Sequence, residues 1–308
     1  MEETIQRKGN SLKLAKEFGQ VDVVIIDCYY VAYRAFCATP PLASQSGIPT
    51  SAIHGLLGAV RSMIKDLQPK SVIIATESRT SFREALHTDY KKDRSLPQPF
   101  SCQMPYIYEM AKLSGWHLLE QEGYEADDAI AGVVKLVNAK GLRAAIFTTD
   151  KDIISLVNER IGIFKREKGK SYILTQEDYT VKWGIPPAQI PELLALCGDA
   201  VDNIPGVKGI GAKSATKLIQ QFGSVAGIYE NLEKVESAKI RGLLDTNREN
   251  VRLSQELIQL RSDVPLDEAI LSAGAEDKPG LISFFRSLDM NKTADSLEGK
   301  PKEQPELL

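Results

Sequence analysis

Cysteine and histidine are scarce: four and three residues in 308. Cys28, Cys37, Cys102 and Cys197 are scattered without metal-ligand or disulfide-framework spacing, which excludes a zinc ribbon and a disulfide-stapled fold and leaves free, mostly core thiols in a reducing compartment. His54, His87 and His117 are isolated, so no histidine metal site is expected. No apolar run approaches the length of a membrane span, and the amino terminus has no apolar signal core. These absences point to the cytoplasm, with no membrane partner. The glycine-rich turn near residue 209 is closed by no G-K-[ST] and follows no strand, so neither a Walker nor a Rossmann phosphate loop is present. Net positive charge is also missing, at −3 overall; an acidic cluster balanced by local basic surface would hide a nucleic-acid binder in that average.

What is present is acid, concentrated in Tyr124 to Asp152. Ala129, Ile130, Val133, Val134 and Val137 recur at helical spacing, and Ala144 to Phe147 read as a strand buried on both faces. Glu125, Asp127 and Asp128 open the helix; Asp150 and Asp152 follow the strand. Five carboxylates at one end of an α/β unit repel one another, and desolvation adds to the cost, so divalent cations are the economical counter-charge. A solvated helix start that favours the dipole is the bland alternative.

Other strands are expected at Val21 to Ile26, ending in Asp27, at Ser71 to Thr76 and at Trp116 to Leu119, with a hairpin of Ile161 to Phe164 and Ser171 to Leu174. Helices alternate with them at Thr50 to Leu67, Met104 to Leu113 and from Thr175 to about Trp183. That alternation predicts a mostly parallel sheet with helices on both faces over 21–184. An irregular segment from Arg79 to Arg94 carries five Arg/Lys against three Asp/Glu. The chemistry then changes: 185–290 reads as all-helical, with helices at Ala226 to Leu232 and Lys239 to Leu260, around the glycine turn of Gly206, Gly209 and Gly211 flanked by Lys208, Lys213 and Lys217. Bare amides beside lysines suit a duplex backbone, and a plain packing turn is the alternative. Asp199 and Asp202 just before it form a second acidic pair or a simple cap. Residues 1–20 read as an extension and 291–308 as a polar tail.

The motifs D-x-x-x-x-x-Y-R-A-F from Asp27, F-R-x-x-L-x-x-x-Y-K-x-x-R from Phe82, G-Y-E-A-D-D from Gly123, T-x-D-K-D from Thr148 and G-D-x-x-D-N-I-P-G-V-x-G-I-G-x-K-[ST]-A from Gly198 resemble, in family order, the 5' nuclease domain of bacterial DNA polymerase I and the flap endonuclease-like exonucleases. The resemblance implies a PIN-like α/β fold followed by a helix-hairpin-helix region. It also implies hydrolysis of DNA phosphodiesters near the 5' end of branched duplexes, in replication and repair, with two Mg²⁺ or Mn²⁺ ions. By that likeness Asp27, Glu125, Asp127 and Asp128 serve the first ion, Asp150 is shared, and Asp152, Asp199 and Asp202 serve the second. Lys91 and Arg94 steer the scissile phosphate under an arch of about 82–105. Tyr33, Arg34, Phe82, Arg83 and Tyr90 serve the strand end, and the helix-hairpin-helix holds duplex and a K⁺ ion. The implied partners are 5'-flap DNA and a DNA polymerase in cis or in trans, for a monomer associated with the bacterial nucleoid.

Three positions depart from the pattern. Thr76 stands where the resemblance expects a metal-binding Asp, Cys28 replaces a Gly beside Asp27, and Thr149 replaces a Gly before Asp150. A hydroxyl is a weaker cation ligand than a carboxylate. Glu77 is adjacent, but alternation along a strand would turn it to the other face. A branched-DNA binder with weakened or no cleavage is therefore the main rival expectation, and an RNA nuclease a third.

Overall fold

The computed structural model describes residues 17–78, 80–91 and 96–299. Six strands, β1 (Val23–Asp27), β2 (Ser71–Ala75), β3 (His117–Leu119), β4 (Ala144–Phe147), β5 (Ile161–Glu167) and β6 (Lys170–Leu174), form one sheet in the order β3-β2-β1-β4-β5-β6. All pairs are parallel except the β5–β6 hairpin. The apolar runs explain this: alternate residues of one strand feed opposite cores. Val23, Ile25 and Ile73 join one core while Val24, Ile26 and Ile74 join the other, so both faces must be covered.

The helices are α1 (Cys28–Ala38), α2 (Ser51–Leu67), α3 (Phe82–Leu86), α4 (Gln98–Ser101), α5 (Met104–Leu113), α6 (Ala126–Ala139), α7 (Gln176–Trp183), α8 (Ile190–Cys197), α9 (Ala212–Phe222), α10 (Val225–Glu230), α11 (Ala238–Thr246), α12 (Arg248–Ile258), α13 (Lys278–Ser287) and α14 (Asn291–Glu298). Helix α2 shows the local logic: Ile53, Leu56, Leu57, Val60 and Met63 bury one stripe, and left-handed Gln68 ends it before Pro69. Helix α6 lies on one face of the sheet, and the buried residues of α8, α9 and α12 belong to the same core. Helices α1, α2, α5 and α13 cover the other face.

Two expectations need correction. Asn291 to Glu298 is helix rather than tail: Ala294 is buried beside Phe285, and Arg286 pairs with Asp295 and Glu298 at 2.5 and 3.2 Å. The expected single helix from Lys239 to Leu260 is two, α11 and α12, because Asn247 leaves helical geometry between them. Cys28 is buried as expected, whereas Cys37 is exposed. Among the described residues no helix is long and apolar enough to cross a membrane.

Candidate metal centre and nucleic-acid interface

The strand order reverses direction between β1 and β4, the place where open α/β sheets form a crevice at the carboxyl ends of their strands. Asp27 ends β1 there, and the loop after β4 carries Thr148, Asp150 and Asp152. The Asp27 side chain caps α1 by accepting from the Tyr30 amide at 3.2 Å, and its other oxygen accepts from the Thr148 hydroxyl at 2.8 Å. Helix α6 delivers Asp127 to the same edge. Carboxylate oxygens of Asp127, Asp150 and Asp152 lie within 4.8 Å of one another, the only such acidic group among the described residues. An adjoining cleft of about 450 Å³ is lined by Asp27, Asp127 and Asp150, with Glu77, Lys91 and Tyr30 among its other walls.

The energetic cost of this convergence is visible in the carboxyl groups. Burial, then the Asp150 charge, pushes Asp127 well above the usual carboxylate range. Burial with the charges of Asp150, Asp202 and Asp199 raises Asp152 to about 7. Burial likewise raises Asp27 to about 6, against the hydrogen bonds it accepts, with Asp150 and Glu77 adding to the rise. Such a group is short of positive charge, and its all-oxygen donors suit a hard divalent cation.

Glu125 and Asp128 do something different from the expectation. They form a reciprocal capping box at the start of α6, where the Glu125 side chain receives an α6 amide and Asp128 receives the Glu125 amide. Asp128 is fully buried and held two-pronged by Arg83 at 2.7 and 2.8 Å, and it also accepts from the Arg261 amide at 2.8 Å. Its oxygens are committed, so Asp128 is a structural acid. Glu125 accepts from Lys91 at 2.6 Å, from the Ser81 hydroxyl at 2.6 Å and from the Tyr90 hydroxyl at 3.2 Å. Burial alone would raise Glu125, but Lys91 and Arg83 hold it below its ordinary value. Glu125 therefore positions Lys91.

Arg83 and Tyr90 are corrected in the same way. Arg83 is buried, donating to the Leu257 and Gln259 carbonyls as well as to Asp128, and Tyr90 is buried against Glu125. Neither faces solvent for DNA. Phe82 lies between the guanidinium groups of Arg83 and Arg261, 4.5 and 5.0 Å from its ring centre. Lys91 lines the cleft and has a left-handed backbone, φ 50°, unusual for a residue with a side chain. Arg94 lies outside the described residues, as do 92–95 of the expected arch. Tyr33 and Arg34 are exposed at the rim of the cleft, Tyr33 packing edge-on to Phe100 at 5.2 Å.

On the far side, Asp199 pairs with Lys151 at 2.6 Å, a partner within the T-x-D-K-D motif that residue reading passed over. Beyond it, Gly206 is buried, and at φ 55° an added Cβ would run into the Gly198 backbone, so it is a packing glycine. Lys208, Gly209, Gly211, Lys213 and Lys217 are exposed, with Gly211 at the amino end of α9. Thr76 is buried and shares a 2.7 Å hydrogen bond with the Tyr108 hydroxyl.

The sequence profile of the 5'-3' exonuclease N-terminal resolvase-like domain matches residues 22–184, and that of the 5'-3' exonuclease C-terminal SAM fold matches 185–278. The chain belongs to the 5'-3' exonuclease family. The family's 5'-3' exonuclease from Aquifex aeolicus is 37% identical over 270 residues, covering 86% of this chain and 91% of that protein. DNA polymerase I of Bacillus subtilis is 32% identical over 281 residues, 89% of this chain but 32% of that protein, so the exonuclease-family chain spans about a third of such a polymerase. Among solved structures, bacteriophage T5 5'-exonuclease with bound zinc superimposes with a TM-score of 0.67 at 22% identity, over 89% of this chain and 99% of that one. The catalytic core of Rad2 in complex with DNA gives 0.60 at 17%, over 93% of each chain. Both likenesses are of fold.

Proposed function

We propose that this member of the 5'-3' exonuclease family is a divalent-metal-dependent 5' nuclease that hydrolyses DNA phosphodiesters as an exonuclease and as a structure-specific flap endonuclease in replication and repair. One observation carries this reading: the oxygens of Asp127, Asp150 and Asp152 converge within 4.8 Å beside a cleft that also holds Lys91. The residues fit the cations that the family implies. The donors are all oxygen, and the cluster takes up protons near neutrality for want of a better counter-charge. Asp127 and Asp150 with Asp27 would hold one Mg²⁺ or Mn²⁺; Asp152 with Asp199 and Asp202 would hold the second. When bound, such ions polarise the phosphate and make water nucleophilic at neutral pH.

The chain's own groups do the rest. The Lys91 ammonium, anchored by Glu125, faces the scissile phosphate and offsets charge that builds there, the place where electrostatic help counts most. Arg94 shares that role by its motif spacing. Tyr33 and Arg34 offer an exposed ring and a cation to the 5' strand at the rim. Lys208, Lys213 and Lys217 hold the duplex backbone without reading bases. We assign the K⁺ ion to the same turn, where Gly209 and Gly211 are exposed. A monomer working in the cytoplasm beside a DNA polymerase, joined to it or separate, fits the polymerase I relatives.

The test is cleavage of a 5'-flap duplex in Mg²⁺ or Mn²⁺. Asp150→Ala is expected to lower the rate by at least about 100-fold, the upper end for groups that only support a metal ligand. Unchanged cleavage by that variant would overturn the assignment. A second reading, a branched-DNA binder that cuts slowly, is favoured by Thr76, whose hydroxyl is engaged by Tyr108 rather than facing a cation. Tight flap binding by the wild-type chain without cleavage in either metal would decide for it, and an RNA–DNA hybrid cut in preference to DNA would decide for an RNA nuclease.

A further inference from the structure

The cleft contains a carboxylate that the motif pattern assigns to nothing. Strand β2 ends at Ala75, two residues before Glu77. Alternation along a strand would turn neighbouring side chains to opposite faces, but it governs only residues that remain in the strand. Thr76 is the last position held by the sheet edge: its amide donates to the Leu119 carbonyl at 2.9 Å, and its side chain turns to Tyr108, which lies on α5 against the other face. Glu77 and Ser78 lie outside any strand or helix, so Glu77 is released from the pleat. It lines the same cleft as Asp27, Asp127 and Asp150.

We propose that Glu77 supplies the carboxylate of the first cation's site that Thr76 lacks, displaced by one residue because the strand stops before it. This rests on the metal-dependent reading above and deepens it. Three facts converge on it. The Thr76 hydroxyl is committed to Tyr108, so the strand-end position offers the cleft no oxygen of its own. Glu77 is half-buried rather than splayed into solvent. Its charge reaches both Asp27 and Lys91, the acid and the base on either side of the cleft. The longer glutamate reach also suits a carboxylate that starts one residue farther along the chain. Replacing Thr76 by Asp without repacking Tyr108 would break the hydroxyl pair, so in this chain the acid at 77 and the hydroxyl at 76 form a matched set.

The readout is cation binding rather than turnover. Mn²⁺ affinity is measured by titration calorimetry on the full chain, with melting in EDTA as the check that each variant is folded. Glu77→Gln is expected to weaken Mn²⁺ binding by about tenfold, the lower range for a group supporting a metal site. Glu77→Asp should fall between wild type and Gln. A Glu77→Gln protein that is folded and binds Mn²⁺ as tightly as wild type overturns the inference. Wild-type protein that binds no Mn²⁺ at all, with Asp127→Asn equally inert, overturns the metal-dependent reading instead, so the two failures are distinguishable.

Discussion

Asp150→Asn should make the metal-free protein more stable while it removes activity. Asp150 contributes to the rise in Asp127, Asp152 and Asp27 alike, so its charge is the shared source of repulsion in the cluster. Two carboxylates whose oxygens lie within 4.8 Å repel by at least about 3 kcal/mol at an effective dielectric of 20. Protons held by Asp127 and Asp152 relieve part of this near neutrality, leaving roughly 2 kcal/mol to recover, or a melting point about 3 °C higher for a chain of this size. The isosteric amide keeps the acceptor that receives the Asp152 amide at 2.9 Å, so the loop itself is preserved. Thermal melting at pH 8 in EDTA measures the gain. In saturating Mg²⁺ the order should reverse, because the wild type gains about 2.7 kcal/mol at a hundredfold excess over Kd and the variant gains less. A variant that melts lower than wild type in EDTA would refute the view that like-charge strain dominates this edge of the sheet.

Three further outcomes rest on the same charges and contacts. Asp152 at about 7 and Asp27 at about 6 lie above their ordinary carboxylate value of 3.8, so the folded chain holds protons that the unfolded chain releases; their contribution to metal-free stability should be full below about pH 4 and decline as pH rises toward 7, while Glu125, held below its ordinary value, acts in the opposite sense at acid pH, so a pH series of melts in EDTA should fall between about pH 5 and 7. Arg83→Ala leaves Asp128 buried and unpaired and should cost about 3–5 kcal/mol in urea unfolding, far more than an exposed pair such as Arg252 with Glu249. Replacing Lys208, Lys213 and Lys217 together should weaken duplex binding independently of sequence, and each lysine that contacts a phosphate should flatten the plot of log affinity against log salt by about 0.9.

Much of the sheet was legible because its strands are short apolar runs closed by acids. Ala144 to Phe147 matched residue for residue, and β1 was displaced at its start only. Asp27, Asp127, Asp150 and Asp152 were legible for a related reason: a carboxylate at the end of a buried parallel strand, or beside one, has few ordinary reasons to be there. Glu125 and Asp128 show that one spacing can serve two purposes. An acid followed three residues later by another, at the start of an apolar helix, is equally the mark of a capping box, and that signal was in the sequence. Arg83 was beyond reach. Its burial depends on carbonyls of Leu257 and Gln259, 174 and 176 residues away, and no local pattern reports such a return. Glu77 turned on where β2 stops, and strand ends are set by the neighbouring strand rather than by the residue itself.

The clasp of Arg83 also bears on how the molecule comes apart. One guanidinium joins the root of α3, the first turn of α6 and the end of α12, and the Arg261 amide closes the ring on Asp128. A chain ending at residue 184 would keep the strands with Asp27, Asp127, Asp150 and Asp152, yet would lose Asp199 and Asp202 and leave Arg83 without two of its acceptors and Asp128 without one of its donors. The acidic edge and the helical half should therefore lose structure in a single cooperative step, with hydrogen-exchange protection of the α6 amides falling together with that of α12. Folding must close a loop of more than 170 residues before this acid-bearing helix is secured, which places completion of the site late, after the carboxyl-terminal helices have docked.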